Sequence, residues 1–302
     1  MQWEITRRKF LRSSAGLFGA TFIDPVTLLG KAMSRVRFGL ITDSHYADRD
    51  SAGTRYYREA LAKMRECVQV LNSEAVDFAI HLGDLKDEDK NKRESDTLKY
   101  LQAIEAEYAN FRGPRYHCIG NHDLDSISKA QFLQNIENTG ISQDQGYYSF
   151  DQKGFHFIVL DPNYHPDGRH HHKGDFKWYD ARLPEHEWEW FENDLLKTQL
   201  PTIVFCHFTL YNFTRDGHPY YITDYPRAQK LLEASGKVMA VFQGHVHQED
   251  FVELNGIHYC TQLGMVDYSG LENNSFAIVE ITSKEIKIDG YKRAATKKLG
   301  KK

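Results

Sequence analysis

Five short apolar runs in this chain end abruptly in histidine, aspartate or asparagine, and that repetition constrains the fold more than any other feature. The run ends are Asp43-Ser44-His45, Gly83-Asp84, Gly120-Asn121-His122-Asp123, Cys206-His207 and Gly244-His245-Val246-His247. Strand ends are where α/β folds display chemistry, because the strand holds the backbone while the following loop presents side chains. Just past a strand, the middle side chain of Asp-x-His or His-x-His points away, so the two flanking ones can converge. A lone histidine such as His45 or His207 is ordinarily a satisfied core or surface residue, and Asp84 after Gly83 is by itself a turn residue. Five such clusters in order point to a metal site.

Leaving His122 aside, the seven donors are the carboxylates of Asp43 and Asp84, the carboxamide of Asn121 and the imidazoles of His45, His207, His245 and His247. Oxygen and nitrogen donors with no competing thiolate suit Mn, Fe, Co or Zn. Seven are too many for one tetrahedral or octahedral ion and suit two ions with one shared ligand. Two metals about 3.5–4 Å apart are a common device for in-line attack on phosphorus.

Composition narrows the alternatives. A length of 302 residues with 41% apolar content suits one large domain or two small ones. The formal net charge of −4 provides no basic field for nucleic acid, so duplex binding is not expected. Cys67, Cys118, Cys206 and Cys260 form no C-x-x-C pair and lie in apolar runs, so they read as small buried hydrophobes. At the N-terminus, Thr6-Arg7-Arg8-Lys9-Phe10-Leu11-Arg12 precedes a mildly apolar stretch from Ser13 to Ile23. Paired arginines in this setting resemble a twin-arginine export signal, which makes the export machinery a partner and the periplasm the expected destination. The stretch, at about 11 residues, is shorter than the roughly 20 a membrane span needs. The alternative is a basic amphipathic helix in a cytoplasmic protein.

From Arg35 to Ile119, β-like runs alternate with helical patterns over Arg55 to Asn72 and Ser95 to Phe111, which implies a parallel sheet covered by helices. The second half is more antiparallel in character. Phe251 to Leu254, Gly256 to Thr261, Ser275 to Ile281 and Glu285 to Ile288 read as a short meander with a hairpin turn at Asn255-Gly256. Two long segments, Asp161 to Leu183 and Phe208 to Pro226, lie between the candidate ligand strands. Either their aromatics stack on a substrate ring and Arg169 with His170, His171 and His172 meets a distal phosphate, or the tyrosines pack the loop down and leave the histidine run in solvent.

The ordered set Asp43-Ser44-His45, Gly83-Asp84, Gly120-Asn121-His122-Asp123, His207 and Gly244-His245-Val246-His247 resembles the calcineurin-like metallophosphoesterase superfamily. The resemblance implies an α/β fold, a four-layer α/β/β/α sandwich of two mixed sheets, with a dinuclear centre at the strand ends. It implies Asp43, His45 and His247 on a first divalent transition metal, Asn121, His207 and His245 on a second, and Asp84 between them. Manganese is the expected metal, with Fe, Zn or Co as alternatives. It further implies attack by a hydroxide held between the cations. His122 faces the leaving group as acid, oriented by Asp123 or a neighbouring backbone carbonyl. On this basis residues 1–32 are an export signal, 33–290 the metallophosphoesterase domain and 291–302 a solvated, mobile basic tail.

Within the superfamily, Arg37 to Asp48, Arg55-Tyr56-Tyr57, Tyr147 to Phe150 and Gly154 to Asp161 look most like the manganese-dependent ADP-ribose/CDP-alcohol diphosphatase branch. After His207 the chain departs from the superfamily pattern, with Phe208-Thr209-Leu210 in place of a proline-bearing segment. A purple acid phosphatase would carry a tyrosine three residues after Asp84, where Asp87 stands. The expected activity is hydrolysis of a phosphodiester or pyrophosphate bond in a small, nucleotide-like substrate, with no stable protein partner. A phosphomonoesterase or cyclic-nucleotide phosphodiesterase, or a non-catalytic metal-containing binding protein, are the alternatives.

Overall fold

The strands that carry the site form where continuous apolar runs can be buried on both faces. A computed structural model describes residues 34–300; the expected export signal lies outside the described residues. Strand β1 (Arg35–Ile41) is almost wholly buried, and β2 (Phe78–His81) entirely so. With β3 (Arg115–His117) they form a parallel set. Such buried runs are what parallel sheets require.

The connections are helical. Helix α1 (Ala60–Ser73), entered through a 3-10 turn at Tyr57–Glu59, buries Met64, Cys67, Val68 and Leu71 along one face. Helix α2 (Glu94–Tyr108) buries Leu101, Ile104 and Tyr108. Helix α3 (Lys129–Gln134), which the apolar periodicity did not reveal, opens on a capping box between Ser128 and Gln131. Its brevity leaves little periodicity to read.

A hairpin of β4 (Tyr148–Gln152) and β5 (Phe155–Val159) begins the second sheet. It turns at Lys153-Gly154, both at positive φ as a two-residue hairpin demands. Helix α4 (Glu185–Lys197) leads to β6 (Thr202–Cys206), which pairs parallel to β5. A small separate ribbon of β7 (Thr214–Arg215) and β8 (His218–Pro219) follows. Helix α5 (Tyr225–Ser235), closed by Gly236 in a left-handed cap, leads to β9 (Val238–Gln243).

The expected four-strand meander is instead divided between the sheets. Strands β10 (Asp250–Leu254) and β11 (Ile257–Thr261) form the Asn255-Gly256 hairpin, and β11 pairs parallel to β9. Strands β12 (Ser275–Thr282) and β13 (Glu285–Lys292) cross to the other sheet, where β12 pairs antiparallel to β1. Residues 297–300, expected as part of a mobile tail, form β14 (Lys297–Gly300), antiparallel to β13. The alternation explains it: Leu299 packs against the core while lysines face water, which suits an edge strand.

The sheet orders are β14-β13-β12-β1-β2-β3 and β10-β11-β9-β6-β5-β4. Between them lies an aromatic core built on Phe38, Phe78, Phe157, Phe205 and Phe242. Phe38 stacks on Phe78 at 4.9 Å and meets Phe205 edge-on at 5.6 Å. Helices α1, α2 and α3 cover the outer face of the first sheet, and α4 and α5 that of the second. This is the expected four-layer sandwich. No helix among the described residues is long and apolar enough to cross a membrane.

Candidate metal centre

Backbone conformation concentrates at one end of both sheets. Asp43, His45, Asp84, His245 and His247 all have φ between 45 and 67°. Left-handed backbone in such residues costs about 1–3 kcal/mol each and persists only where the surroundings enforce it. Here the enforcement is hydrogen bonding between strand ends: Asp43 N–H donates to Gly83 O at 3.1 Å and His45 N–H to Asp84 O at 2.9 Å. Gly120 must lack a side chain, because a Cβ there would lie 2.2 Å from Asp84 Oδ1.

The side chains converge in two groups. In the first, Asp43 Oδ1 lies 3.3 Å from His247 Nε2 and 3.6 Å from His45 Nε2. In the second, Asp84 Oδ2 lies 3.2 Å from His207 Nε2, and ligand atoms of Asp84, His207 and His245 fall within 4.8 Å of one another. The groups adjoin, since His45 Nε2 is also 3.5 Å from Asp84 Oδ2. His45 Nε2 and His247 Nε2 face each other at 3.1 Å, which is repulsive between lone pairs unless a proton or cation serves both.

The outward atoms of these groups are committed, so the inward ones are free. His207 Nδ1 donates to Leu82 O at 2.8 Å, His247 Nδ1 sits 2.8 Å from Asp267, and His45 Nδ1 sits 3.2 Å from Asp87. Partners of this kind orient metal-binding imidazoles. Asp43 Oδ2 accepts from Thr42 Oγ1 and from His245 N–H. Asp43 Oδ1, Asn121 Oδ1, His207 Nε2 and His245 Nε2 are left buried without a hydrogen-bond partner. A buried polar atom left so costs about 1–3 kcal/mol. Four in one place fit a site for cations.

Electrostatics agree with that donor set. Burial alone would raise the Asp43 and Asp84 carboxyls, but neighbouring imidazoles, His247 for Asp43 and His207 for Asp84, outweigh it and hold both well below the usual carboxylate range. Burial and His207 push His245 well below the ordinary imidazole value, so it is a neutral donor.

His122 stands at the mouth of the site, its ring 4.8 Å from that of His45. Its orientation differs from expectation. Asp123 does not hold it: that carboxylate accepts from the backbone N–H groups of Gly120, Asp84 and Leu85 and ties the two glycine loops together. Burial and the nearby Asp84 push Asp123 up to about 6. Instead, Asp125 Oδ2 lies 2.6 Å from His122 Nδ1, while Lys86 Nζ donates to the carbonyl oxygens of both residues. Burial disfavours the imidazolium, but Asp125, Asp87 and Asp84 prevail and raise His122 to about 10. The i, i+3 spacing from His122 was the sequence signal for Asp125.

Above the donors opens a cleft of about 520 Å³ whose walls include Arg55, His122, Trp178, Arg215, Tyr220 and Arg293. The profile of the calcineurin-like phosphoesterases matches residues 36–249, a span that takes in every one of these candidate ligands. The chain belongs to the calcineurin-like phosphoesterase family.

Two curated relatives, the manganese-dependent ADP-ribose/CDP-alcohol diphosphatases of Oryza sativa subsp. japonica and Arabidopsis thaliana, are 33% and 32% identical to this chain over 131 residues. Each match covers 41% of this chain, and it spans 40% and 41% of those relatives. The fold is shared with a dimetal phosphatase from Danio rerio (TM-score 0.73, 19% identity, 88% of this chain and 99% of that one). It is shared too with a purple acid phosphatase from yellow lupin (TM-score 0.59, 15% identity, 86% and 52%). Asp87, three residues after Asp84, reaches His45 and lies 3.7 Å from Arg55.

The loop residues divide. Arg169 is exposed, pairs with Asp167 at 2.7 Å and is not among the residues that line the cleft, which favours the reading that leaves it in solvent over the phosphate contact. His171 is buried and stacks on Phe176 at 4.3 Å. Tyr211 packs inward, its hydroxyl donating to Asp250 at 2.7 Å, whereas Tyr220 faces the cleft. Trp178 and Arg215, which sequence reasoning did not single out, come to the cleft only through the folding of two separate loops.

Proposed function

We propose that this phosphoesterase hydrolyses a phosphodiester or pyrophosphate bond at a dinuclear divalent-metal centre, with manganese as the metal and a nucleoside-diphosphate compound of the ADP-ribose or CDP-alcohol kind as substrate. The observation that carries the proposal is the cluster of inward-facing, uncommitted donor atoms on Asp43, Asn121, His207 and His245. The named activity of the curated relatives supports the substrate class.

Asp43, His45 and His247 would hold one ion, Asn121, His207 and His245 the other, with Asp84 shared. Bound there, two cations supply Lewis acidity toward phosphoryl oxygen and a water acidified to the point of attack. The chain does the rest. Asp267, Asp87 and the Leu82 carbonyl fix the imidazoles so that Nε2 points inward. His122, its Nδ1 engaged by Asp125 and its titration raised against burial by Asp125, Asp87 and Asp84, would offer an Nε2 proton to the departing oxygen.

Metal-stripped protein reloaded with MnCl2 and desalted is expected to retain about two Mn per chain by elemental analysis. That holoprotein is expected to cleave ADP-ribose or CDP-choline faster than cyclic AMP or 4-nitrophenyl phosphate. Absence of bound metal, or a preference for the monoester, sinks the proposal.

A further inference from the structure

We infer that Arg215, presented by the β7–β8 ribbon, is a specificity-determining residue that binds the second, unattacked phosphate of a pyrophosphate substrate. The inference rests on the hydrolase reading above and names what in the cleft would separate diphosphates from single-phosphorus esters.

The three arginines on the cleft wall are not equivalent. Arg55 lies 3.7 Å from the buried Asp87, so much of its charge is already answered. Arg293 donates to the carbonyl of Asp267 at 2.9 Å and lies over the Tyr268 ring at 4.5 Å. Arg215, among the described residues, has neither the backbone-carbonyl acceptors that hold Arg293 nor the buried carboxylate that faces Arg55. Its Nη2 donates to the Tyr220 hydroxyl at 3.0 Å, its guanidinium lies over the Tyr220 ring at 4.8 Å, and the nearest carboxylate among the described residues, Asp216, is 3.9 Å away and largely exposed. A half-buried guanidinium without a close carboxylate, lining a cleft, is suited to a bidentate phosphate.

The ribbon also places Arg215 on one side of the site. Tyr220 lies 5.2 Å from the His245 ring and Trp178 lies 5.7 Å from it. Trp178 meets Tyr220 at 5.1 Å and His218 at 5.4 Å, so the Trp178 loop packs against the ribbon. Arg215 therefore stands one aromatic ring beyond His245. A phosphate seated at the metals and joined to a second phosphate would direct that second group along this wall.

The test compares kcat/KM of the Mn-loaded enzyme on ADP-ribose with that on bis(4-nitrophenyl) phosphate, which has aromatic rings but one phosphorus. Arg215→Gln is expected to lower the ratio of the two values by about 10- to 100-fold, the worth of a hydrogen bond to a charged group, chiefly through KM on ADP-ribose. Arg215→Lys is expected to restore part of the ratio, because a point charge replaces a fork. Using a ratio removes any general loss of folded enzyme. An unchanged ratio in Arg215→Gln, with both substrates still cleaved, overturns the role of Arg215 and leaves the hydrolase reading standing. A wild-type enzyme that cleaves neither substrate, or bis(4-nitrophenyl) phosphate alone, overturns the pyrophosphatase reading and this inference with it.

Discussion

At the scale of single residues, His122 and Asp125 act as a pair. With Nδ1 taken by Asp125, His122 has only Nε2 to offer, and in the proposed role as acid its proton would matter most where the leaving group is a poor one. His122→Ala is expected to keep its metal and to lose about 10²–10³-fold in kcat on an alkyl ester, with much less lost on a 4-nitrophenyl ester. Asp125→Asn is expected to show the same leaving-group dependence more weakly, since it removes orientation and leaves the ring. Equal losses across leaving groups would remove both residues from the proton path. The candidate donors were legible in the sequence because they lie at the ends of five strands, where local spacing is informative. Asp123 was misjudged for a geometric reason. The 3-10 turn His122–Leu124 swings its carboxylate back under the glycine loops and brings Asp125 around to the imidazole.

At the scale of elements, His156 on β5 ties its hairpin to helix α4, 2.6 Å from Asp151 and 2.7 Å from Asp194. Burial disfavours its charged form, but the two carboxylates more than compensate and raise its titration above the ordinary value. A folded-state value above the unfolded one means that this stabilisation is complete below about pH 6.5 and fades as pH climbs through the folded value. His156→Gln is expected to cost about 1 kcal/mol in the acid range, a figure kept low because Asp151 is solvent-screened. Thermal unfolding of both proteins at about pH 6 and about pH 9 checks it: the gap should narrow with rising pH, and a widening gap contradicts the assignment. Most strands and both long helices of the first sheet were legible from period and breakers. The meander was not, because neighbouring strands in sequence look alike whether they pair or part. Only burial against β1 takes β12 away from β11. The same blindness concealed α3 and the β7–β8 ribbon, whose few residues carry no period.

At the scale of the molecule, metal and fold are linked. Unpartnered donors on Asp43, Asn121, His207 and His245 leave the cation-free state with local costs that bound ions would relieve. Saturating Mn²⁺ is expected to raise Tm above that of the EDTA-treated protein by about 5 °C or more, measured by calorimetry. No difference would mean that the donors are stable unfilled. Export through Arg7-Arg8 is a separate proposal: Lys-Lys replacement is expected to retain the protein in the cytoplasm, and unchanged fractionation would reject it.

The donors proposed for each ion come from opposite sheets: Asp43, His45, Asp84 and Asn121 follow strands of the first, His207, His245 and His247 strands of the second. The phenylalanine layer between those sheets therefore works as a spacer gauge. Any slip of one sheet over the other alters the gap between the ions, so a substitution buried deep among those rings would detune the chemistry with every ligand still in place.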